Sequence, residues 1–278
     1  MTSQETVKVF IGSGEASLLE RKVLIYSLHK HSTREIDIYI FNGTHNAVEH
    51  NQEEPVLAPM PLKIKYRNIT EFSYYRFLIP QLCDHQGKAI WLDSDIITLH
   101  DIGELFDTPM DGYDLLMKTT AYPDLSPDLD PRCSAIMVID CERVRFDLES
   151  LIREVDQGLY SDRDLMHMTI RFRRFHPFQI GEFAPEWNIR DYWDEQTKLI
   201  HYTDLETQPW KYHNHPYGEL WFEYLQEAIQ AGYVTQRDID LSLTRAYVRS
   251  DLMSGNFAPV QRKLNRAKVM FRKLTASS

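Results

Sequence analysis

The sequence predicts an α/β fold: a mixed sheet flanked by helices, with a smaller region towards the carboxyl end. Three observations lead there. Apolar patterns of strand period and helix period alternate across residues 7–41. Short apolar runs follow at residues 88–92, 113–117 and 134–139, each suited to a buried strand. A chain of 278 residues that is 43% apolar and 12% aromatic can bury a large core, enough for one large α/β domain or two smaller ones.

Taken in order, residues 7–11 (VKVFI) read as a first buried strand ending in Gly12, Ser13 and Gly14. Leu18, Leu19, Val23, Leu24 and Leu28 then fall at helical spacing and predict an amphipathic helix. Residues 36–41 (IDIYIF) form the second strand, so the opening is a right-handed βαβ unit. Residues 42–61 are polar and carry proline, and predict a loop; 62–66 predict a third strand. Residues 74–82 predict a helix carrying Arg76, 89–92 a strand, 101–106 a short helix, 113–117 and 134–139 two more strands, and 148–158 a helix. Beyond Tyr160 the pattern turns aromatic and irregular. No repeat, low-complexity tract or interdomain linker interrupts the chain. We therefore expect residues 1–260 to form a single domain, followed by a basic tail at 261–278.

The chemistry concentrates in KAIWLDSDIITL, where a buried strand breaks into Asp93 and Asp95 and an apolar run resumes at Ile96 and Ile97. Asp-x-Asp at the carboxyl end of a strand sets hard oxygen ligands on a sheet rim, where a divalent metal can bridge them to a substrate diphosphate. A solvated acidic turn is the bland alternative. The apolar flanks argue against it, since two unpaired charges are costly among apolar neighbours.

The net charge of −10 argues against general nucleic-acid binding. Cys83, Cys133 and Cys141 form no C-x-x-C pair and read as small buried side chains in a reducing compartment. No apolar leader or span of about 18 apolar residues is visible, so we expect a cytoplasmic protein. In the tail, Leu264, Val269, Met270 and Phe271 interleave with six basic residues. This stretch reads either as a peripheral contact with an anionic membrane face or as a solvated last helix.

WLDSDIITLHDIGELF, SAIMVIDC, APEWN and IHYTDLETQPW occur in this order and resemble the glycosyltransferase family 8 type enzymes and their bacterial relatives, across roughly residues 7–210. The resemblance implies a GT-A fold, a Rossmann-like mixed sheet with a smaller C-terminal acceptor-side region. It implies a nucleotide-sugar donor, UDP-sugar above all, a glycan or other hydroxyl acceptor, and retention of anomeric configuration. It also implies that Asp93, Asp95 and His201 hold a manganese ion (or magnesium) on the donor diphosphate, with Ser94 between the two carboxylates. Two carboxylates and an imidazole suit manganese better, because nitrogen is the softer donor. The alternative for His201 is a hydrogen-bonded histidine at a sheet edge.

The remaining site residues follow from the same resemblance. SYYRFLIP places Arg76 where an arginine helps hold the donor; capping a helix or pairing with a surface acid is its other reading. Gly12 and Ser13 end the first strand where the family binds the nucleoside, and a small residue lets the backbone approach a ligand closely. YSDRDLMH resembles the family's Asp-Gln-Asp-x-x-Asn segment, which lines the sugar and acceptor site. Asp162 and Asp164 match it; Arg163 replaces the glutamine and His167 the asparagine. Ser161 and Asp162 are equally good N-cap residues. The family's late motif, His, two residues, Gly, then Lys-Pro-Trp, departs here: Asp204 replaces the glycine, Gln208 the lysine, and Lys211 after Trp210 is the remaining candidate for the phosphate. Two other functions stay open on these residues: a non-catalytic nucleotide- or sugar-binding relative, and a metal-dependent nucleotidyltransferase.

Overall fold

The computed structural model describes residues 5–122 and 124–254. The tail at 261–278, with its expected membrane contact, lies outside the described residues. In chain order the strands are β1 (Val7–Ser13), β2 (Ile36–Asn42), β3 (Ala47–His50), β4 (Val56–Leu57), β5 (Lys88–Asp93), β6 (Ile96–Thr98), β7 (Leu115–Thr119), β8 (Arg132–Asp140), β9 (Ile180–Gly181), β10 (Ile189–Arg190) and β11 (Leu199–His201). The helices are α1 (Leu18–His31), α2 (Leu62–Lys65), α3 (Ile79–Leu82), α4 (Ile102–Phe106), α5 (Leu148–Asp156), α6 (Asp162–Met166), α7 (Ile170–Arg173), α8 (Gly218–Gln230) and α9 (Gln236–Thr244). This is the mixed sheet with flanking helices that the sequence predicts. The described residues divide into two compact units, one made of 5–15, 31–94 and 100–185, the other of 16–30, 95–99 and 186–254.

The first unit holds an eight-stranded sheet in the order β4-β3-β2-β1-β5-β8-β7-β9. β1 runs parallel to both β2 and β5, while β8 is antiparallel to β5 and β7. The register sets Gly12 of β1 beside Asp93 of β5, so the glycine end of the first strand and the first carboxylate share one rim. Phe10, Trp91 and Met137, from three adjacent strands, are fully buried in one core cluster with Tyr74, Tyr75 and Phe77. Burying such side chains favours folding by roughly 25 cal/mol per Å² of apolar surface removed from water.

The second unit holds a three-stranded sheet in the order β10-β11-β6. Ile97 and Ile200 face each other across the antiparallel β6–β11 pair. They pack in a cluster with Leu19 and Val23 of α1, Trp210, and Trp221 and Leu225 of α8. The helical spacing read in residues 18–28 thus faces an apolar core. Among the described residues, no helix is long and apolar enough to cross a membrane.

Three expected elements differ. Residues 62–66 form α2 rather than a strand. LKIKY alternates like a strand, yet Pro61 fixes a helix start at φ −58° and only Ile64 of α2 is buried, so five residues carried too little period to decide. Residues 42–61 are not all loop: β3 and β4 add an antiparallel ribbon to the sheet edge. Its corners use Asn46, Asn51 and Gln52 at φ 52°, 45° and 65°. Asparagine tolerates that region well, but without glycine the turns leave a weak signature. The helix expected at 74–82 is a 3-10 turn, Tyr75–Leu78, running into α3.

Candidate active site

β5 delivers the acidic turn. Ala89 to Leu92 are fully buried, and the strand ends at half-buried Asp93. The Trp91 indole Nε1–H donates to Asp93 Oδ1 at 2.8 Å. Arg76 Nη2 donates to the same oxygen at 3.2 Å. Ser94 is buried, and Asp95 then leads into β6. The β6–β11 register sets His201 opposite Ile96, and the Tyr202 amide donates to the Asp95 carbonyl at 2.9 Å. These bonds bring His201 Nε2 to 3.1 Å from Asp95 Oδ1. One ligand atom from each of Asp93, Asp95 and His201 lies within 4.8 Å of the others. Asp95 Oδ1 is buried and accepts no hydrogen bond. Two carboxylates and a nearly buried imidazole gathered this closely fit the donor set of a divalent ion such as manganese.

Arg76 is 3% exposed and lies 4.8 Å over the Trp91 ring. Its Nε donates to the Ser73 carbonyl, Nη1 to the Ser134 carbonyl and Nη2 to Asp93. Burial lowers its pKa, and the Asp93 charge opposes that. Every nitrogen of the fork thus has a protein acceptor, and the clearest role the structure gives this guanidinium is orienting Asp93.

The glycine end of β1 is tightly covered. A Cβ on Gly12 would come within 2.4 Å of both Phe72 and Trp91, and one on Gly14 within 1.4 Å of the Glu71 carboxylate. The small residues here admit side chains of the same unit. Ser13 is buried and donates to the Gly14 carbonyl.

Asp162, Arg163 and Asp164 open α6. Asp162 accepts from the Tyr74 hydroxyl and lies 3.7 Å from Arg67. Arg163 is half-exposed and pairs with Asp124. Asp164 is buried and forms a capping box with Ser161, which donates its amide at 3.0 Å and its hydroxyl at 2.7 Å. The Thr169 hydroxyl also donates to it at 2.7 Å. Burial would raise the Asp164 pKa, but these hydrogen bonds outweigh it and hold the pKa below the ordinary carboxylate value. So the three residues that the resemblance assigns to sugar and acceptor are engaged in shaping this helix start.

In the second unit Lys211 is exposed, in the turn after Trp210. It lies close enough to Glu20 for its charge to lower that carboxyl's pKa. Glu20 is a residue that sequence reasoning missed. It is 4% exposed, its Oε2 is buried without a hydrogen-bond partner, and burial pushes its pKa up to about 8. The Asp95 charge pushes the same way. The available signal was a glutamate at helical spacing from Val23 and Leu24, on the apolar face of α1. Trp187 is a buried core residue, with Lys198 5.4 Å from its ring centre.

Comparison with known proteins bears on the family and the fold. The model of glycosyl transferase family 8 matches residues 9–134. Protein CDI of Arabidopsis thaliana is 27% identical over 179 residues, which covers 57% of this chain and 65% of that protein. Glycosyltransferase GlyB of Streptococcus pneumoniae is 26% identical over 185 residues, covering 59% of this chain and 44% of that one. The chain thus matches less than two thirds of the length of these curated relatives. Among solved structures, the galactosyltransferase LgtC, in complex with donor and acceptor sugar analogues, superposes with a TM-score of 0.62 at 12% identity, covering 84% of this chain and 100% of LgtC. GlyE of Streptococcus pneumoniae TIGR4 gives 0.55 at 15% identity, covering 88% and 66%. Residues 9–134 thus resemble glycosyl transferase family 8, and the chain shares the GT-A fold of LgtC and GlyE.

Proposed function

We propose that this chain is a metal-dependent glycosyltransferase that moves a hexose-type sugar from a UDP-sugar to a glycan or other hydroxyl acceptor, with retention. The observation that carries the reading is the group of Asp93, Asp95 and His201, with ligand atoms within 4.8 Å of one another. Those three residues would hold the ion, Mn2+ by preference. When bound, the ion supplies Lewis-acid neutralisation of the diphosphate as the sugar–oxygen bond weakens. Arg76 and Trp91 fix Asp93 Oδ1, so that carboxylate needs little reorganisation when donor arrives. Exposed Lys211 adds a mobile positive charge for the phosphates. The transition state of such transfer has oxocarbenium character. Asp162, at the mouth of α6, is the carboxylate we assign to orienting the acceptor hydroxyl.

Titration of UDP with and without manganese tests the reading, followed by a panel of nucleotide sugars assayed for manganese-dependent hydrolysis. We expect UDP to bind at least tenfold more tightly with manganese, and one donor to be hydrolysed slowly. Absence of UDP binding overturns the proposal. Binding with no hydrolysis or transfer of any donor would instead favour a non-catalytic relative.

A further inference from the structure

Cys83, Cys133 and Cys141 are all thiols of the first unit, and two of them meet. Cys83 caps the C-terminal end of α3, and a tight turn then carries the chain into β5. The Gln86 amide donates to the Cys83 carbonyl at 2.9 Å, while Asp84, His85 and Gly87 hold left-handed backbone at φ 52°, 56° and 65°. The turn therefore folds back on Cys83. Cys141 arrives from the end of β8. It follows Asp140, which pairs with Lys88 of β5, and its amide donates to the Gly87 carbonyl at 2.9 Å. The Cys83 and Cys141 thiols are hydrogen-bonded to each other within one core cluster. Their distance in sequence hides this pair from any search for C-x-x-C.

The two sulfurs are not equivalent. Cys83 is 7% exposed and Cys141 fully buried. The Cys141 thiol reaches two acceptors, the Ile139 carbonyl at 3.9 Å and the Cys83 sulfur. Its hydrogen bond holds the Cys83 pKa below the ordinary thiol value; the Lys8 charge helps, and burial and Asp84 oppose. The same bond, burial and the Cys83 charge push the Cys141 thiol up, with Asp140 adding to them and Lys8 opposing. A favoured thiolate, an opening to solvent and an adjacent second thiol are what reversible oxidation by a hydroperoxide needs. Cys133 provides the contrast. It is buried in β8, about 25 Å along the strand from Cys141 at roughly 3.3 Å per residue. The pair sits at the Lys88 end of β5, the opposite end of that strand from Asp93, so it is a site apart from the acidic turn.

We propose that Cys83 and Cys141 form an oxidisable dithiol, a modification site at which a hydroperoxide oxidises Cys83 and Cys141 then closes a disulfide. In the first step the Cys83 thiolate attacks the O–O bond of hydrogen peroxide. One oxygen stays on Cys83 as a sulfenic acid, and the other leaves as water with the proton that Cys83 released. In the second step the Cys141 sulfur displaces the sulfenic hydroxyl, which leaves as a second water with the Cys141 proton. The two thiols give up two electrons in all, and the peroxide takes them. A small thiol such as glutathione reverses the change by exchange.

The test treats the folded full chain with a few equivalents of hydrogen peroxide, quenches it, unfolds it in N-ethylmaleimide and reads intact mass and non-reduced peptides. Two of the three thiols should be lost to alkylation, and the chain should be about 2 Da lighter before alkylation. The crosslinked peptide should join Cys83 to Cys141, with Cys133 alkylated, and dithiothreitol should restore all three thiols. Chain oxidised in denaturant is the control, and there the pairing should scatter among the cysteines. In Cys141→Ser, Cys83 should stop at the sulfenic acid and take up dimedone. In Cys83→Ser, Cys141 should stay a thiol at the same dose. Three alkylated cysteines in treated wild type, or the same scatter of pairs in folded and unfolded chain, overturns the proposal. So does a crosslink through Cys133. These readings need the wild type alone, so they stand even where a variant folds poorly.

Discussion

Arg76 reaches three oxygens from three parts of the first unit: the Ser73 carbonyl, the Ser134 carbonyl and Asp93. Lysine presents one point charge and cannot reproduce the fork. Arg76→Lys should therefore leave at least one buried acceptor unsatisfied and cost about 2 kcal/mol of stability, measurable by denaturant unfolding. It should also weaken manganese-supported UDP binding by about tenfold, because Asp93 loses a fixed partner. Unchanged stability would show that the bonds to the two carbonyls contribute nothing net. Glu20 offers a second test at this scale, with a defined sign. Its folded pKa is raised to about 8 from an ordinary 4.5. Below pH 4.5 both folded and unfolded chains hold the proton, so the group leaves stability unchanged there. Between 4.5 and 8 the unfolded chain releases the proton while the folded one retains it. Stability therefore falls as pH rises through this window and levels off above it. At pH 7 the penalty is on the order of 3 kcal/mol. Glu20→Gln should match wild type near pH 4.5 and exceed it increasingly towards pH 8 in thermal melts. Parallel curves for the two proteins would sink this account.

Among the elements, α6 shows why a motif can be read correctly as a pattern and still hide its local physics. DRD begins a five-residue helix whose cap is Ser161, and Asp164 closes the capping box. Ser161→Ala should cost about 1 kcal/mol in denaturant unfolding. Because His167 is the C-cap of this helix, the variant should also loosen the ring that sits on Arg132. An unchanged unfolding free energy would mean that water replaces the cap without loss. The same contrast governs what was legible before any coordinates. β1, β5 and β8 were, because central strands buried on both faces read as continuous apolar runs. β3, β4 and α2 were not, because their exposed residues (Val56, Leu57 and Leu62) break the link between apolarity and burial. Asp93, Asp95 and His201 could be picked out as a group, since carboxylates flanked by apolar residues stand out and the late histidine followed by resemblance. The register that places His201 opposite Ile96 could not, and neither could the Arg76 bond to the Ser134 carbonyl. Both are tertiary contacts between stretches distant in sequence, and local periodicity carries no information about them.

For the whole molecule, the relevant quantity is the coupling between folding and cation binding in a chain of net charge −10. Any divalent cation stabilises an acidic protein weakly by reducing its self-repulsion, and added salt screens that effect. A built site behaves differently. An ion that binds only the folded chain raises stability by RT ln(1 + [L]/Kd), about 2.7 kcal/mol at a hundredfold excess over Kd. For a chain of this size that corresponds to a rise in Tm of roughly 5–10 °C. Manganese should produce this rise and magnesium a smaller one, since the imidazole of His201 favours the softer ion. The rise should persist in 0.5 M sodium chloride, reverse on chelation, and largely vanish in Asp95→Asn and His201→Ala. Adding UDP should enlarge it in the wild type alone, because diphosphate oxygens would complete the coordination of an ion already held by the turn. Equal shifts with manganese and magnesium in all three proteins, abolished by salt, would reduce the cluster to an ordinary acidic surface feature.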